Sequence, residues 1–170
     1  MSETYMPKNE QIETAISIAS RYHKGQTDKN GMPYILHPLA VMQIVSDFVP
    51  SDNEDLLMDA KIVAVLHDIL EDTVVTKVSL EYYCFPPHII DAVVALTRLQ
   101  DETYSDYILR VAENSLTVVV KLADLTHNLR PGCPETLQPR YRQVYSYLSG
   151  CFAQIQKESH QLFAKPEFSE

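Results

Sequence analysis

The run Ala64-Val65-Leu66-His67-Asp68-Ile69-Leu70-Glu71-Asp72-Thr73 constrains this chain more than any other stretch, because it sets four groups with metal or proton chemistry inside an apolar, helix-forming segment. On a helix turning about 100° per residue, His67, Asp68, Glu71 and Asp72 fall at about 0°, 100°, 40° and 140°, one continuous face. Val63, Leu66, Ile69 and Leu70 take the other side and require a core to cover them. The fold must therefore bury the back of this helix and open its front. A competing reading is an amphipathic helix with a solvated acidic face. His67 counts against it, since a ring flanked by Leu66 and Ile69 needs a polar partner when buried.

The rest of the chain supplies more helices to build that core. Ile12, Ala15, Ile16, Ala19 and Tyr22 recur at helical spacing, and Gly25 suits a left-handed stop. A loop with Asp28, Asn30, Gly31 and Pro33 delivers the chain to His37, and Pro38 is pre-set for the first turn of a second helix through Leu39, Met42 and Val45. Ser51 followed by Glu54 gives a capping-box signature for the third helix, which contains the opening run and should end near Thr73. Val78, Leu80 and Tyr83 mark a short helix; Pro86-Pro87 starts another with Ile89, Val93 and Leu96 on one side, and Tyr104, Tyr107, Ile108 and Val111 form the next stripe. Thr117 to Arg130 pairs the strand-favouring Val118-Val119-Val120 with Leu122, Leu125 and Leu129 at helical spacing, and it is read as helix. Lys121, Asp124 and Asn128 then share a face. A last long helix carries Tyr141, Val144, Tyr145, Leu148, Phe152 and Ile155, and the tail after Lys165 should fray. The expectation is an all-α helical bundle, one domain over residues 1–170 with a core from roughly 8 to 163.

Charge and cysteine content narrow the function. A net charge of -9 argues against a nucleic-acid partner, and no apolar run approaches the roughly 20 residues of a membrane span. Met1 to Glu10 is polar and lacks a signal-peptide core, so the cytoplasm is the expected location. Cys84, Cys133 and Cys151 are odd in number and lack a Cys-x-x-Cys spacing, which disfavours a disulfide framework. A phosphorylated small molecule remains compatible, its charge met by a metal and a few local cations.

His37, His67, Asp68 and Asp124 supply two imidazoles and two carboxylates, a mixed nitrogen and oxygen set that suits Mn²⁺, Fe²⁺ or Zn²⁺ better than Ca²⁺. Glu71 or Asp72 is placed to orient a water at such an ion or take its proton. The alternative for Asp124 is an ordinary helix-surface carboxylate paired with Lys121 one turn back.

The motifs His23-x-Gly25-Gln26, Pro33-Tyr34-Ile35-Leu36-His37-Pro38, Leu66-His67-Asp68-x-x-Glu71-Asp72-Thr73 and Lys121-Leu122-Ala123-Asp124-x-x-His127-Asn128 occur in that order. Together they resemble HD-domain metal-dependent phosphohydrolases, and more closely the hydrolase domain of the RelA/SpoT group and its small stand-alone alarmone hydrolases. The resemblance covers roughly residues 11 to 130. It implies an HD-domain helical bundle, Mn²⁺ at His37, His67, Asp68 and Asp124, Glu71 and Asp72 acting on water, and removal of pyrophosphate from the ribose 3′ position of (p)ppGpp. Lys29 and Asn128 match the family's substrate contacts. Two positions depart from it: Asp28 stands where those hydrolases carry a basic residue, and Leu125 where they tend to carry Arg. Hydrolysis of another nucleotide or small phosphoester, or a non-catalytic nucleotide-sensing module, are the alternatives. No synthetase domain is expected within 170 residues, so a bifunctional enzyme is not expected.

Overall fold

The computed structural model describes residues 5–50 and 52–163, with side chains described to residue 157. The expected cap at Ser51 and the tail after Lys165 lie outside the described residues. The architecture is all-α. Helix α1 spans Lys8–Tyr22, α2 Leu36–Ile44 with a 3-10 turn at Val45–Asp47, α3 Glu54–Leu66, α4 Ile69–Asp72, α5 Lys77–Tyr82, α6 Pro87–Leu96, α7 Tyr104–Ala112, α8 Ser115–Asn128 and α9 Gln138–Phe163. Among the described residues there is no strand; a single bridge, Thr27 to Pro33, closes the loop before α2. No helix of the described residues is long and apolar enough to cross a membrane.

Local chemistry sets most helix ends. Asn53 accepts a hydrogen bond from Leu56 N and starts α3, Thr76 and Ser79 form a reciprocal capping box for α5, Pro87 begins α6, and Asn114 accepts from Leu116 N to start α8. After α1, Gly25 has φ +86°, the left-handed stop expected there. Within α5 only Leu80 is buried, whereas Val78 is 70% exposed. Two residues apart on a helix is about 200°, so a six-residue helix cannot turn both inward.

Helix α8 is the axis of the bundle, in contact with α2, α3, α6, α7 and α9. Val118, Val119 and Val120 are all fully buried, which explains how three strand-favouring residues lie in a helix: packing on every side outweighs a propensity difference of under about 1 kcal/mol each. Helices α2 and α3 pack on each other and both on α8, so segments far apart in sequence meet at one depth.

One expectation fails. The opening run is not a single helix to Thr73: α3 ends at Leu66 and α4 starts at Ile69, with Asp68 between them at φ -101°, ψ 0°. His67 Nδ1 takes up the Ala64 carbonyl oxygen at 2.7 Å, so the ring uses an acceptor of its own last turn. The break re-aims His67 and Asp68. Glu71 and Asp72 move to a separate short helix and are exposed.

Candidate metal centre

His37 is the second residue of α2, His67 and Asp68 make the break between α3 and α4, and Asp124 lies in the C-terminal half of α8. These elements pack together, so the four side chains converge although 87 positions separate the first from the last. His67 is 3% exposed and Asp124 5%, while the Asp68 side chain keeps 24% and opens the centre to one side. His67 Nε2 lies 2.9 Å from Asp68 Oδ2 and 3.9 Å from Asp124 Oδ1; His37 Nε2 lies 3.5 and 3.3 Å from the same two oxygens. Donors held about 2.1 Å from one ion, at tetrahedral or octahedral angles, are themselves about 3.0 to 3.4 Å apart. Three of these separations lie near that spacing and the fourth, 3.9 Å, is wider; among the described residues His37, His67 and Asp124 form the group whose donor atoms all lie within 4.8 Å of one another, and Asp68 Oδ2 flanks its two imidazoles.

Tautomers argue the same way. The Ala64 carbonyl can only accept, so His67 Nδ1 carries the proton and the neutral ring turns its Nε2 lone pair toward the two carboxylates. That buried nitrogen makes no hydrogen bond. A lone pair 2.9 Å from a carboxylate oxygen needs a positive centre between them, either a proton or a metal ion. Electrostatics agree. Burial pulls the His37 pKa down, but hydrogen bonds and charges from Asp124 and Asp68 outweigh it and raise it to about 9. The His67 ring is raised too, burial again being outweighed by Asp68 and Asp124. Burial pushes the Asp68 and Asp124 carboxyls up; His67 and His37 beside Asp68, and Lys121 and the two rings beside Asp124, hold both below the usual carboxylate range.

A second layer of contacts orients these groups. Tyr34 donates to Asp68 Oδ2 at 2.5 Å, Asn128 Nδ2 to Asp124 Oδ1 at 2.5 Å, and Lys121 Nζ to Asp124 Oδ2 at 2.8 Å. The Lys121 to Asp124 pair exists, but it is buried and shares its carboxylate with the centre. His37 Nδ1 lies 2.8 Å from His127 Nδ1. The His127 ring is 5% exposed; burial first, then the nearby His37 and Arg130 charges, push its pKa down to about 4. Tyr34 and His127 stood inside motifs quoted from the sequence without a role. A signal existed for His127 alone, which stands three residues after Asp124 on α8; Tyr34 precedes α2, and its bond to Asp68 is set by packing.

Beside the centre opens a cavity of about 310 Å³ lined by His37, Asp68 and Asp124, by Asp28, Lys29 and Asn30 of the loop before α2, and by Asn128, Arg130 and Tyr141 of α8, its exit and α9. Lys29, Asn128 and Arg130 all line this cavity. Glu71 and Asp72 are not among the lining residues. Glu71 Oε2 accepts from Arg98 N at 3.3 Å, and the Asp72 carboxylate neighbours the Tyr34 hydroxyl, whose pKa is raised by burial and by Asp68 and Asp72. Asp28 Oδ1 accepts from Asn30 N and Met32 N, both at 2.9 Å, so this carboxylate builds its own loop. Leu125 is buried in the core and does not face the cavity.

No protein-family model matches the chain. It is 31% identical over 141 residues, 75% of its length, to the bifunctional (p)ppGpp synthase/hydrolase SpoT of Escherichia coli, and 36% identical over 123 residues, 66% of its length, to the guanosine-3′,5′-bis(diphosphate) 3′-pyrophosphohydrolase of Haemophilus influenzae. The matches cover 19% and 17% of those proteins, so the chain spans less than a fifth of the curated relatives it matches. The fold is similar to that of a solved structure described as a metazoan orthologue of SpoT that hydrolyses ppGpp, with a TM-score of 0.64, 21% identity and 88% of each chain covered.

Proposed function

This protein is an HD-type domain similar to the hydrolase domain of the RelA/SpoT group, and from that premise we propose that it is a Mn²⁺-dependent 3′-pyrophosphohydrolase of (p)ppGpp or a related nucleotide. The observation that carries the reading is the buried, bond-free Nε2 of His67 facing two carboxylates within reach of His37. His37, His67, Asp68 and Asp124 are the metal ligands in this proposal. The ion supplies an acidified water and a polarised phosphoryl group.

The chain's own residues do the remaining work. Tyr34 donates to the Asp68 oxygen that faces His67, Lys121 to the outer oxygen of Asp124 and Asn128 to its inner one, so both carboxylates are held in place. Lys29, Arg130 and Asn128 meet the substrate's phosphates in the cavity. Glu71, with Asp72 one residue later on the same short helix and beside Tyr34, forms the pair assigned to orient the attacking water, and one of the two carboxylates takes its proton. The products are pyrophosphate and a nucleotide with a free 3′ hydroxyl. Incubating Mn²⁺-loaded protein with a nucleotide panel tests the reading: pyrophosphate release from 3′-diphosphorylated guanosine nucleotides is expected. Turnover confined to monophosphates or simple phosphoesters overturns the substrate assignment.

A second reading, hydrolysis of a less heavily phosphorylated nucleotide at the same centre, is favoured by Asp28. Its charge lines the cavity where a polyanion must lie, and at about 6 Å under an effective dielectric near 20 such a charge costs roughly 3 kcal/mol before screening. Because two backbone amides bond to this carboxylate, Asp28→Asn removes the charge while keeping the acceptor. KM for (p)ppGpp should fall in Asp28→Asn with kcat little changed; an unchanged KM shows that the phosphates lie elsewhere.

A further inference from the structure

We propose that His127 is a positioning residue for the metal centre: its Nδ1 accepts the Nδ1 proton of His37 and thereby turns the His37 Nε2 lone pair toward Asp68 and Asp124. The two Nδ1 atoms are 2.8 Å apart, and only one proton fits between them. If that proton belongs to His127, a neutral His37 must carry its own on Nε2, directed at the carboxylate oxygens 3.3 and 3.5 Å away, and the ring is closed to a cation. If it belongs to His37, Nε2 is bare and the ring is open. His67 has its tautomer set by a backbone carbonyl, which admits one answer. For His37 that role falls to another imidazole, which can be donor or acceptor.

In the open arrangement the two rings are held in fixed relation by their packing. His127 is 5% exposed, and the two rings lie with centroids 4.8 Å apart and planes 45° apart, locked between α2 and α8. Its own Nε2 then carries a proton and is a buried donor without a partner in the protein. The group to which His37 donates is thus held in place by burial. Ligand rings are commonly fixed by a partner on their other nitrogen, and losing such a partner weakens metal binding by about 10- to 100-fold.

The inference rests on the metal reading of the centre, and the test separates the two. Asn places an oxygen near the position of Nδ1 and can accept from His37; Leu has similar bulk and cannot. Mn²⁺ and Zn²⁺ dissociation constants are measured by calorimetry on the full chain for wild type, His127→Leu and His127→Asn, with thermal midpoints as a fold control. A 10- to 100-fold loss in His127→Leu is expected, with His127→Asn within about threefold of wild type. The protonated nitrogen of His37 in the metal-loaded wild type, read by nitrogen-15 NMR of the ring, should be Nδ1, a readout independent of whether His127→Leu folds. Wild-type affinity in His127→Leu, His127→Asn no better than His127→Leu, or a protonated Nε2 on His37 overturns the inference alone. A wild type that binds neither metal overturns the reading beneath it as well.

Discussion

Two clusters in this fold are made of nearly the same residues and differ in what meets their charge. One is the centre of His37, His67, Asp68 and Asp124. The other, where the start of α1 meets α3 and α6, gathers Lys8, Asp55, Asp59 and His88: Lys8 Nζ lies 2.9 Å from Asp55 Oδ1 and 3.1 Å from Asp59 Oδ1, and His88 Nε2 lies 3.1 Å from Asp59 Oδ2. In the second cluster the cation is a covalent part of the chain, and Asp55 is almost fully solvated. In the first, Lys121 holds the outer oxygen of Asp124, while the facing oxygens of Asp68 and Asp124 lie against two imidazole nitrogens, with Asp68 open to one side. Composition does not separate a candidate metal centre from an ion-pair network. The burial of His37, His67 and Asp124, against the exposure of Asp55 and His88, does.

The sharpest way to break this comparison is to remove one carboxylate from the centre. Asp68→Ala takes away a donor 2.9 Å from His67 Nε2 and leaves three, so bound metal should fall to near background and turnover should vanish with it. Elemental analysis after dialysis against Mn²⁺ checks this. Full metal occupancy in Asp68→Ala would mean that the centre is no more a coordination shell than the cluster around Lys8.

Glu71→Gln separates binding from chemistry. Glu71 bonds Arg98 N and touches none of the four donors, so metal content should match wild type while kcat drops by roughly 10² to 10⁴, the value of a lost general base. Full activity in that variant transfers the role to Asp72, which lies beside Tyr34.

These assignments were legible in the sequence to different depths. His37, His67, Asp68 and Asp124 could be singled out as candidates because helical stripes fixed their elements and an imidazole or carboxylate among leucines and alanines needs a partner. Helix α8 was readable despite three consecutive valines, since Leu122, Leu125 and Leu129 kept the period. The break at His67 was not readable. Leu66, Ile69 and Leu70 continue the apolar pattern across it, and the ring hydrogen bond to Ala64 that accompanies it is nothing a periodicity can show. The Tyr34 to Asp68 and His37 to His127 bonds join residues 34 and 90 positions apart, and their existence depends on how α2, α3 and α8 pack.

The pH response distinguishes the clusters further. In the metal-free protein the His37 pKa is raised above its ordinary value near 6.5 to about 9, so its stabilisation is fully present below pH 6.5 and is lost as pH rises through 9. Metal binding runs the other way, because the ion competes with that proton and is favoured as pH rises over the same window. Thermal midpoints taken from pH 6.5 to 9 should therefore fall for metal-free protein and hold or rise with excess Mn²⁺. Parallel curves with and without Mn²⁺ would remove the ion from the centre.

The smallest effect is expected at the other cluster. Lys8 bridges two carboxylates, yet its side chain is 33% exposed and the Asp55 side chain 92%, so water and salt screen most of the attraction. Lys8→Met keeps the aliphatic stem on the protein and removes the charge. Unfolding free energy should change by under about 1 kcal/mol, and by less still at high salt, with metal content and kcat unaltered. The direction is a mild loss, since Asp59 Oδ1 is buried and Lys8 is the cation closest to it, although His88 remains on the other oxygen. A loss of several kcal/mol, insensitive to salt, would show that Asp59 depends on Lys8 as strictly as Asp124 depends on its centre, and exposure would then no longer be what sets the two clusters apart.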